Sequence, residues 1–250
     1  MQFLILYCKH VKMLYIIGIG LDKKDISLRG IEALKRCKKV YLENYTSDFP
    51  YSIRELEKVI RKRIIQADRE FVEIARLLLA ESKKSDIALL VSGDPLSATT
   101  HIDLLLRAEK QEIRIEIIHS SSIFTAVGDS GLQLYKLGKT ASLPKFYPNF
   151  RPESFYDVIK ANQKIDAHTL ILLDIGLSVN DALFQLKEVM ERKDEKLDKI
   201  LVCERAGTKK NRFYYDYLDK FIKKKFKLPS CIIIPSKLHF MEEVSLKRFS

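Results

Sequence analysis

The stretch "DIALLVSGDPLSATTHIDLLLRAEK", residues 86–110, carries the reading of the fold. Ile87 to Val91 are continuously apolar, too short for a helix and too uniform for a half-exposed strand, so they predict a strand covered on both faces. Ser92-Gly93-Asp94-Pro95 then breaks the run. Glycine permits a tight turn and proline ends any ladder, which leaves Asp94 at the tip of a buried strand. Thr100 with Asp103 predicts a capping box for a helix carrying Ile102, Leu105 and Leu106. Strand, polar loop and helix in that order are the unit of an α/β sheet, whose ligands bind beyond the carboxyl ends of the strands. Asp94 is therefore either Asx-type turn chemistry or a ligand contact.

Toward the N-terminus the same alternation continues. "LYIIG" at 14–18 predicts a strand, Ser27 caps a helix through about Arg36, and "KVYLE" at 39–43 predicts another strand. Ile53, Leu56 and Ile60 recur at helical spacing, "RIIQA" at 63–67 reads as strand, and Phe71, Ile74, Ala75 and Leu78 mark one further amphipathic helix. Toward the C-terminus, "IRIEIIH" at 113–119 is followed by a Ser-, Gly- and Pro-rich stretch with one short helix near Ile123 to Val127. Beyond it, "TLILLDI" (169–175) predicts a strand, Ser178 and Asp181 cap a helix through about Arg192, and "KILVCERA" (199–206) predicts a strand. Tyr214, Tyr217, Leu218, Phe221 and Ile222 trace a helix face, and "SCIIIPS" closes the sheet. The expectation is an extension over residues 1–12, an N-terminal α/β domain over 13–118 and a C-terminal α/β domain over 119–250.

Composition narrows the classes. Forty-four Lys and Arg against 33 Asp and Glu give a charge of +11, which suits an anionic partner but equally solvates helix faces. Cys8, Cys37, Cys203 and Cys231 lie far apart with no CxxC pair, so no metal site or dithiol is signalled, and a reducing cytoplasm fits. No apolar run reaches the roughly 18 residues that cross a bilayer, and "MQFLILYCKH" lacks the marks of a signal peptide. The P-loop, HExxH, GxSxG and EF-hand spacings are missing. "GIGLDKKDIS" from Gly18 is a poor dinucleotide fingerprint, because Lys23 stands where the third glycine permits close helix packing. His101, His119, His168 and His239 sit at strand or helix ends, where a histidine is more often structural than catalytic. What remains is a set of polar or small residues after apolar strands: Gly18 to Leu21, Gly93 to Ser97, His119 to Ile123, Asp174, and Glu204 to Gly207. Five such loops across two halves predict a cleft for a sizeable ligand.

Several runs carry a more specific signal: "LYIIGIGL", "EALKRCKKVYLENYTS", "SGDPLSATTHIDLLLRA", "AVGDSGLQLYKLGKT", "RPESFYDVI", "HTLILLDI" and "KLHFMEE". In these runs the chain from Met13 onward resembles the diphthine synthases, methyltransferases of the tetrapyrrole-methylase-like superfamily. The resemblance implies two α/β domains with S-adenosylmethionine in the inter-domain cleft, S-adenosylhomocysteine as product, and a homodimer. It implies methylation of the amino group of a 3-amino-3-carboxypropyl chain on a histidine of elongation factor 2, with neither nucleic acid nor membrane required. Archaeal members typically make the trimethylated product, and eukaryotic relatives add a further methyl as an ester. Carried over by motif, the cofactor contacts fall on Leu21, Asp94, Ser97, Ser122, Ile123, Leu173, Ala206 and His239, with no metal. Asp94 then offers an acceptor to a ligand carrying ammonium and sulfonium charge. A proton acceptor for the amine is left open between His101 and His119.

Two departures bear on the site. His119-Ser120-Ser121-Ser122 stands where the family often has His-Asn-Ala-Ser, and Phe150 replaces a frequent Trp. Two rival readings follow from the same sequence. One is a superfamily relative acting on a tetrapyrrole or ribosomal RNA. The other is a non-catalytic RNA- or ribosome-binding protein using Arg61 to Arg63, Lys209 to Arg212 and Lys223 to Lys227.

Overall fold

The apolar runs become strands in a computed structural model of the chain, which describes residues 12–45 and 48–250. The expected extension lies outside the described residues, apart from Lys12. Two units separate between Ser120 and Ser121, and residues 48–52 group with the second.

The first unit holds β1 (Met13–Gly18), α1 (Leu28–Arg36), β2 (Lys39–Glu43), α2 (Ile53–Ile60), β3 (Ile65–Ala67), α3 (Arg69–Ile74), α4 (Arg76–Ser82), β4 (Ile87–Val91), α5 (Ile102–Glu109) and β5 (Arg114–Ile118). Its sheet has the order β3-β2-β4-β1-β5, with every pair parallel. β4 lies between β2 and β1 and is buried along its whole length, as its unbroken apolar run requires. Leu14, Ile16, Ile87, Leu89 and Val91 share one core with Leu78, Leu79, Leu104 and Ala108 of the helices. The direction in which successive strands are added reverses at the centre of this sheet. β1 leads to β2 on one side, while β4 leads back across to β5 on the other, so the loops after β1 and β4 meet at a topological switch point.

The second unit comprises α6 (Ile123–Ala126), 3-10 turns at Val127–Ser130 and Leu134–Lys136, β6 (Ala141–Leu143), α7 (Ser154–Gln163), β7 (Thr169–Leu173), α8 (Val179–Arg192), β8 (Lys199–Glu204), β9 (Arg212–Tyr217), α9 (Leu218–Phe221), β10 (Ser230–Ile234) and α10 (Phe240–Leu246). The sheet order is β6-β7-β10-β8-β9. β10 runs antiparallel to both neighbours, so β7 and β8 point the same way. Alternation divides these strands between two cores. Ile171, Val202 and Ile232 pack with Leu183 and Leu186 of α8, whereas Leu170, Leu201 and Ile233 pack with Val127 and with Leu246 of α10. Cys203 and Cys231 are opposite each other in register, both buried and reduced, as is Cys37, whose thiol burial pushes up to about 12.

Five expectations change. The amphipathic segment around Phe71 to Leu78 is two helices, because Ala75 is left-handed at φ 55° and its N–H closes α3 on the Phe71 carbonyl. Thr100 and Asp103 form no capping box. His101 occupies the cap position but its side chain accepts no bond from the helix N–H groups, and Asp103 pairs with Arg107 at 2.6 Å. α5 buries Leu104 and Ala108, leaving Ile102 and Leu106 half exposed. Residues 212–217 are strand rather than helix, with Tyr214 opposite Val202 and Phe213 opposite Cys203. "SCIIIPS" forms a central strand between β7 and β8, not the last edge of the sheet. The Ser178 cap does form: its hydroxyl accepts from the Asp181 N–H at 3.1 Å and donates to the Asp181 carboxylate at 2.7 Å.

Candidate functional site

At the carboxyl edge of the first sheet three loops interlock. Gly18 ends β1 where no side chain fits: a Cβ there would stand 2.6 Å from the Gly93 carbonyl oxygen and 2.9 Å from both Pro95 and Ser120. Gly20 and Gly93 exchange backbone bonds of 3.1 and 3.0 Å, and Gly93 takes φ 68°, which a side chain would strain. Asp94 is the hub. One carboxylate oxygen accepts from the Leu96 N–H at 3.0 Å and the Ser97 hydroxyl at 3.2 Å; the other takes His119 Nδ1 at 2.7 Å and the Ser120 N–H at 3.2 Å. Asp94 is thus both an Asx turn and a clasp between the loops after β4 and β5. Burial works to raise its pKa, but the Leu96 N–H, His119 and the Ser120 N–H prevail, so the carboxyl ionises below its usual range. Leu21 lies in a turn whose N–H donates to the Asp25 carboxylate at 3.1 Å, and the Ser120 hydroxyl donates to the Asp25 carbonyl at 3.2 Å. Leu21, Asp94 and Ser97 therefore share one loop cluster.

The two candidate histidines of this unit differ sharply. The His119 side chain is 66% exposed, and its bond to Asp94 engages Nδ1. His101 is 2% exposed: Nδ1 meets the Pro95 carbonyl at 3.0 Å and Nε2 meets the Glu43 carboxylate at 2.8 Å. A side chain enclosed in that way cannot exchange protons with a substrate.

In the second unit Ser122 is buried at the start of α6, where its backbone meets the Thr125 hydroxyl. Ile123 packs in the same cluster as Ala206. Leu173 follows the opposite register of β7 and packs on the α8 side. The register also separates the ends of this sheet. Glu204 lies opposite Ser230 at one edge, which Leu173 and Ala206 flank, while Thr169 lies opposite Ile234 at the other. His239 follows β10 from that second edge and is exposed at the cap of α10.

Glu242 holds His239 there. Its carboxylate, fully buried, accepts from the N–H groups of His239 and Gln133 at 2.8 Å each, from Lys136 at 2.6 Å and from His168 Nε2 at 2.9 Å. Burial alone would raise its pKa, yet these donors bring it down to about 2. Sequence reading singled out neither Glu242 nor Glu43. Their only signal was membership in "KLHFMEE" and "VYLENYTS", and three runs, "GLQLYK", "HTL" and "HFMEE", converge on Glu242. Among the described residues no three His, Cys, Asp or Glu side chains gather as a metal site.

Comparison with known proteins follows the same motifs. Residues 13–221 match the family of tetrapyrrole (corrin/porphyrin) methylases. A diphthine synthase of Methanococcus vannielii is 41% identical over 249 residues, covering 94% of this chain and 98% of the relative. A diphthine methyl ester synthase of Saccharomyces cerevisiae is 54% identical over 166 residues, covering 65% of this chain and 55% of the relative. A crystal structure from Entamoeba histolytica, described as a diphthine synthase, superposes with a TM-score of 0.88 at 35% identity, over 95% of this chain and 98% of that one. The chain therefore belongs to the tetrapyrrole (corrin/porphyrin) methylase family and groups within it with the diphthine synthases.

Proposed function

We propose that this chain transfers methyl groups from S-adenosylmethionine to the amino group of the 3-amino-3-carboxypropyl-histidine of elongation factor 2. It is the diphthine synthase step of diphthamide biosynthesis, releasing S-adenosylhomocysteine. The observation that carries the reading is identity of 41% along 98% of a diphthine synthase. The chemistry of the loops agrees with it. After β1, β4 and β5 they offer backbone carbonyls, hydroxyls and the Asp94 carboxylate, an acceptor-rich set suited to a cationic sulfonium, and Lys23 is paired with Glu55. Asp94 acts there mainly by fixing the loops, since both its oxygens are already engaged. Leu21, Ser97, Ser122, Ile123, Leu173, Ala206 and His239 complete the proposed donor-binding set.

The donor supplies an electrophilic methyl group with a good leaving group. The protein's task is alignment of the acceptor nitrogen, worth roughly 7–11 kcal/mol of barrier in favourable cases. The amine must lose a proton in each round. His119 suits that role: Asp94 fixes its Nδ1, which leaves Nε2 to take up a proton. The enzyme works in the cytoplasm as a homodimer, and its +11 charge steers docking of the protein substrate.

The test is incubation with labelled donor and elongation factor 2 bearing the unmethylated side chain, with a tetrapyrrole and ribosomal RNA as parallel acceptors, read by mass spectrometry. Label on the factor's modified histidine is expected. Label only on the tetrapyrrole or RNA would overturn the reading. The yeast relative, a methyl ester synthase, favours a second product for this chain, and a base-labile methyl in the same spectra would identify it.

A further inference from the structure

Beneath the proposed donor loop lies a charge pair that the methyl-transfer chemistry does not use. We infer that His101 and Glu43 are positioning residues: a buried imidazolium and carboxylate that hold the Pro95 carbonyl and, through it, the Gly93-Asp94 turn toward the donor. The inference rests on the reading that the 93–97 loop grips S-adenosylmethionine.

Proton counting supports it. The Pro95 carbonyl can only accept, so His101 Nδ1 carries a proton. Nε2 lies 2.8 Å from a Glu43 oxygen, an ion-pair contact rather than a well-directed hydrogen bond, and the carboxylate so close to the ring favours a second proton on it. The Pro95 carbonyl also receives the Thr99 hydroxyl, so two side chains of the helix entry converge on one oxygen of the loop. Glu43 ends β2, and the pair therefore ties a strand end to the donor loop across the top of the sheet.

The surroundings preserve the charge. Burial works against a charged His101, but the Glu43 carboxylate and the Pro95 carbonyl outweigh it and lift the ring above the ordinary imidazole range. Around Glu43, the Tyr45 hydroxyl is pushed up to about 12 by burial, with Glu43 and Glu73 adding and Arg69 opposing, so the phenol stays neutral. A buried ion pair is a poor source of stability, because two well-packed apolar residues usually serve as well. The double replacement of the pair accordingly separates stability from positioning.

The experiment uses the full chain and three proteins: the parent, the double variant Glu43→Leu/His101→Leu, and Glu43→Gln. Thermal melts establish folding, and calorimetry measures S-adenosylmethionine binding. The double variant is expected to melt within a few degrees of the parent, yet to bind donor about ten-fold more weakly, the equivalent of one lost charge-assisted hydrogen bond. Its KM for donor should rise in the same ratio while kcat at saturating donor changes little. Glu43→Gln leaves Nδ1–H on the Pro95 carbonyl but removes the ring's charge, so its donor affinity should fall between those of the parent and the double variant, while the His101 nitrogen resonances change from doubly to singly protonated. A folded double variant with parental donor affinity would overturn the inference. So would a singly protonated His101 in the parent at neutral pH, a result that stands even where the double variant fails to fold. No donor uptake by the parent overturns the functional reading instead, with the His101 resonances still reporting the proton count.

Discussion

Each unit buries one histidine against one glutamate, and the two pairs hold opposite charge states. His101 meets Glu43 at 2.8 Å and His168 meets Glu242 at 2.9 Å, with all four residues at most 2% exposed. The difference lies on the far nitrogen. His101 Nδ1 faces a carbonyl, which demands a proton, whereas His168 Nδ1 accepts the Ser236 N–H at 2.9 Å, which forbids one. His101 is therefore an imidazolium and His168 a neutral ring, and the positive charge beside Glu242 comes from Lys136 instead. Burial, with Lys136 adding and Glu242 opposing, keeps the His168 ring below its usual pKa. Residue type and burial are alike in the two pairs; one backbone group sets the protonation.

Removing the acceptor breaks the comparison most severely. Glu242→Ala strands the Gln133 and His239 N–H groups, Lys136 and His168, and should cost about 3–5 kcal/mol in urea unfolding. Glu43→Ala should cost less, because His101 can discharge by losing a proton and keep its Pro95 bond. Equal costs would mean that the two pairs are equivalent.

Glutamine sharpens the contrast. One side-chain amide both donates and accepts, so His168→Gln can reproduce a neutral imidazole, donating to Glu242 and accepting from Ser236. At position 101 two donors are needed, and His101→Gln should be about 1–3 kcal/mol worse than His168→Gln by the same unfolding measurement.

The pH dependence separates the pairs in direction. His101 has a raised pKa, so its contribution is complete below the unfolded value near 6.5 and fades as pH rises through the higher folded value. Glu242 has a lowered pKa, so its contribution is present above the unfolded value near 4.3 and disappears as pH falls toward about 2. Hydrogen exchange should thus show the start of α5 loosening on the alkaline side and α10 on the acid side. The smallest expected effect comes from a position that belongs to neither pair: Ala75→Gly relieves a left-handed alanine and should change stability by less than about 1 kcal/mol, read from the melting temperature.

The first unit was largely legible in the sequence because its core strands are continuous apolar runs. β4, β1 and the helix after Ser27 lie where their residues predict. Ala75 hid a helix break, since alanine gives no local sign of a left-handed residue. Tyr214, Tyr217, Leu218 and Phe221 satisfy helical spacing, yet 212–217 pairs with β8 through contacts that no local window contains. The central position of β10 likewise follows from pairing between distant residues. Of the proposed donor contacts, those after β1 and β4 gather because parallel strands end together. Leu173 and His239 fall on a different face and a different edge of the second sheet, because side chains alternate along β7 and β10 runs antiparallel. Glu43 and Glu242 looked like ordinary charged residues, and only the fold assembles the donors around them.

Calorimetric titration of the folded parent chain with S-adenosylmethionine bears most directly on the central claim, that the loops at the first switch point grip a methyl donor. Saturable uptake is expected, weakened when Gly18→Ala forces Gly93, Pro95 and Ser120 apart. Absence of binding heat across a range of temperatures, in a sample whose melt is cooperative, would contradict it.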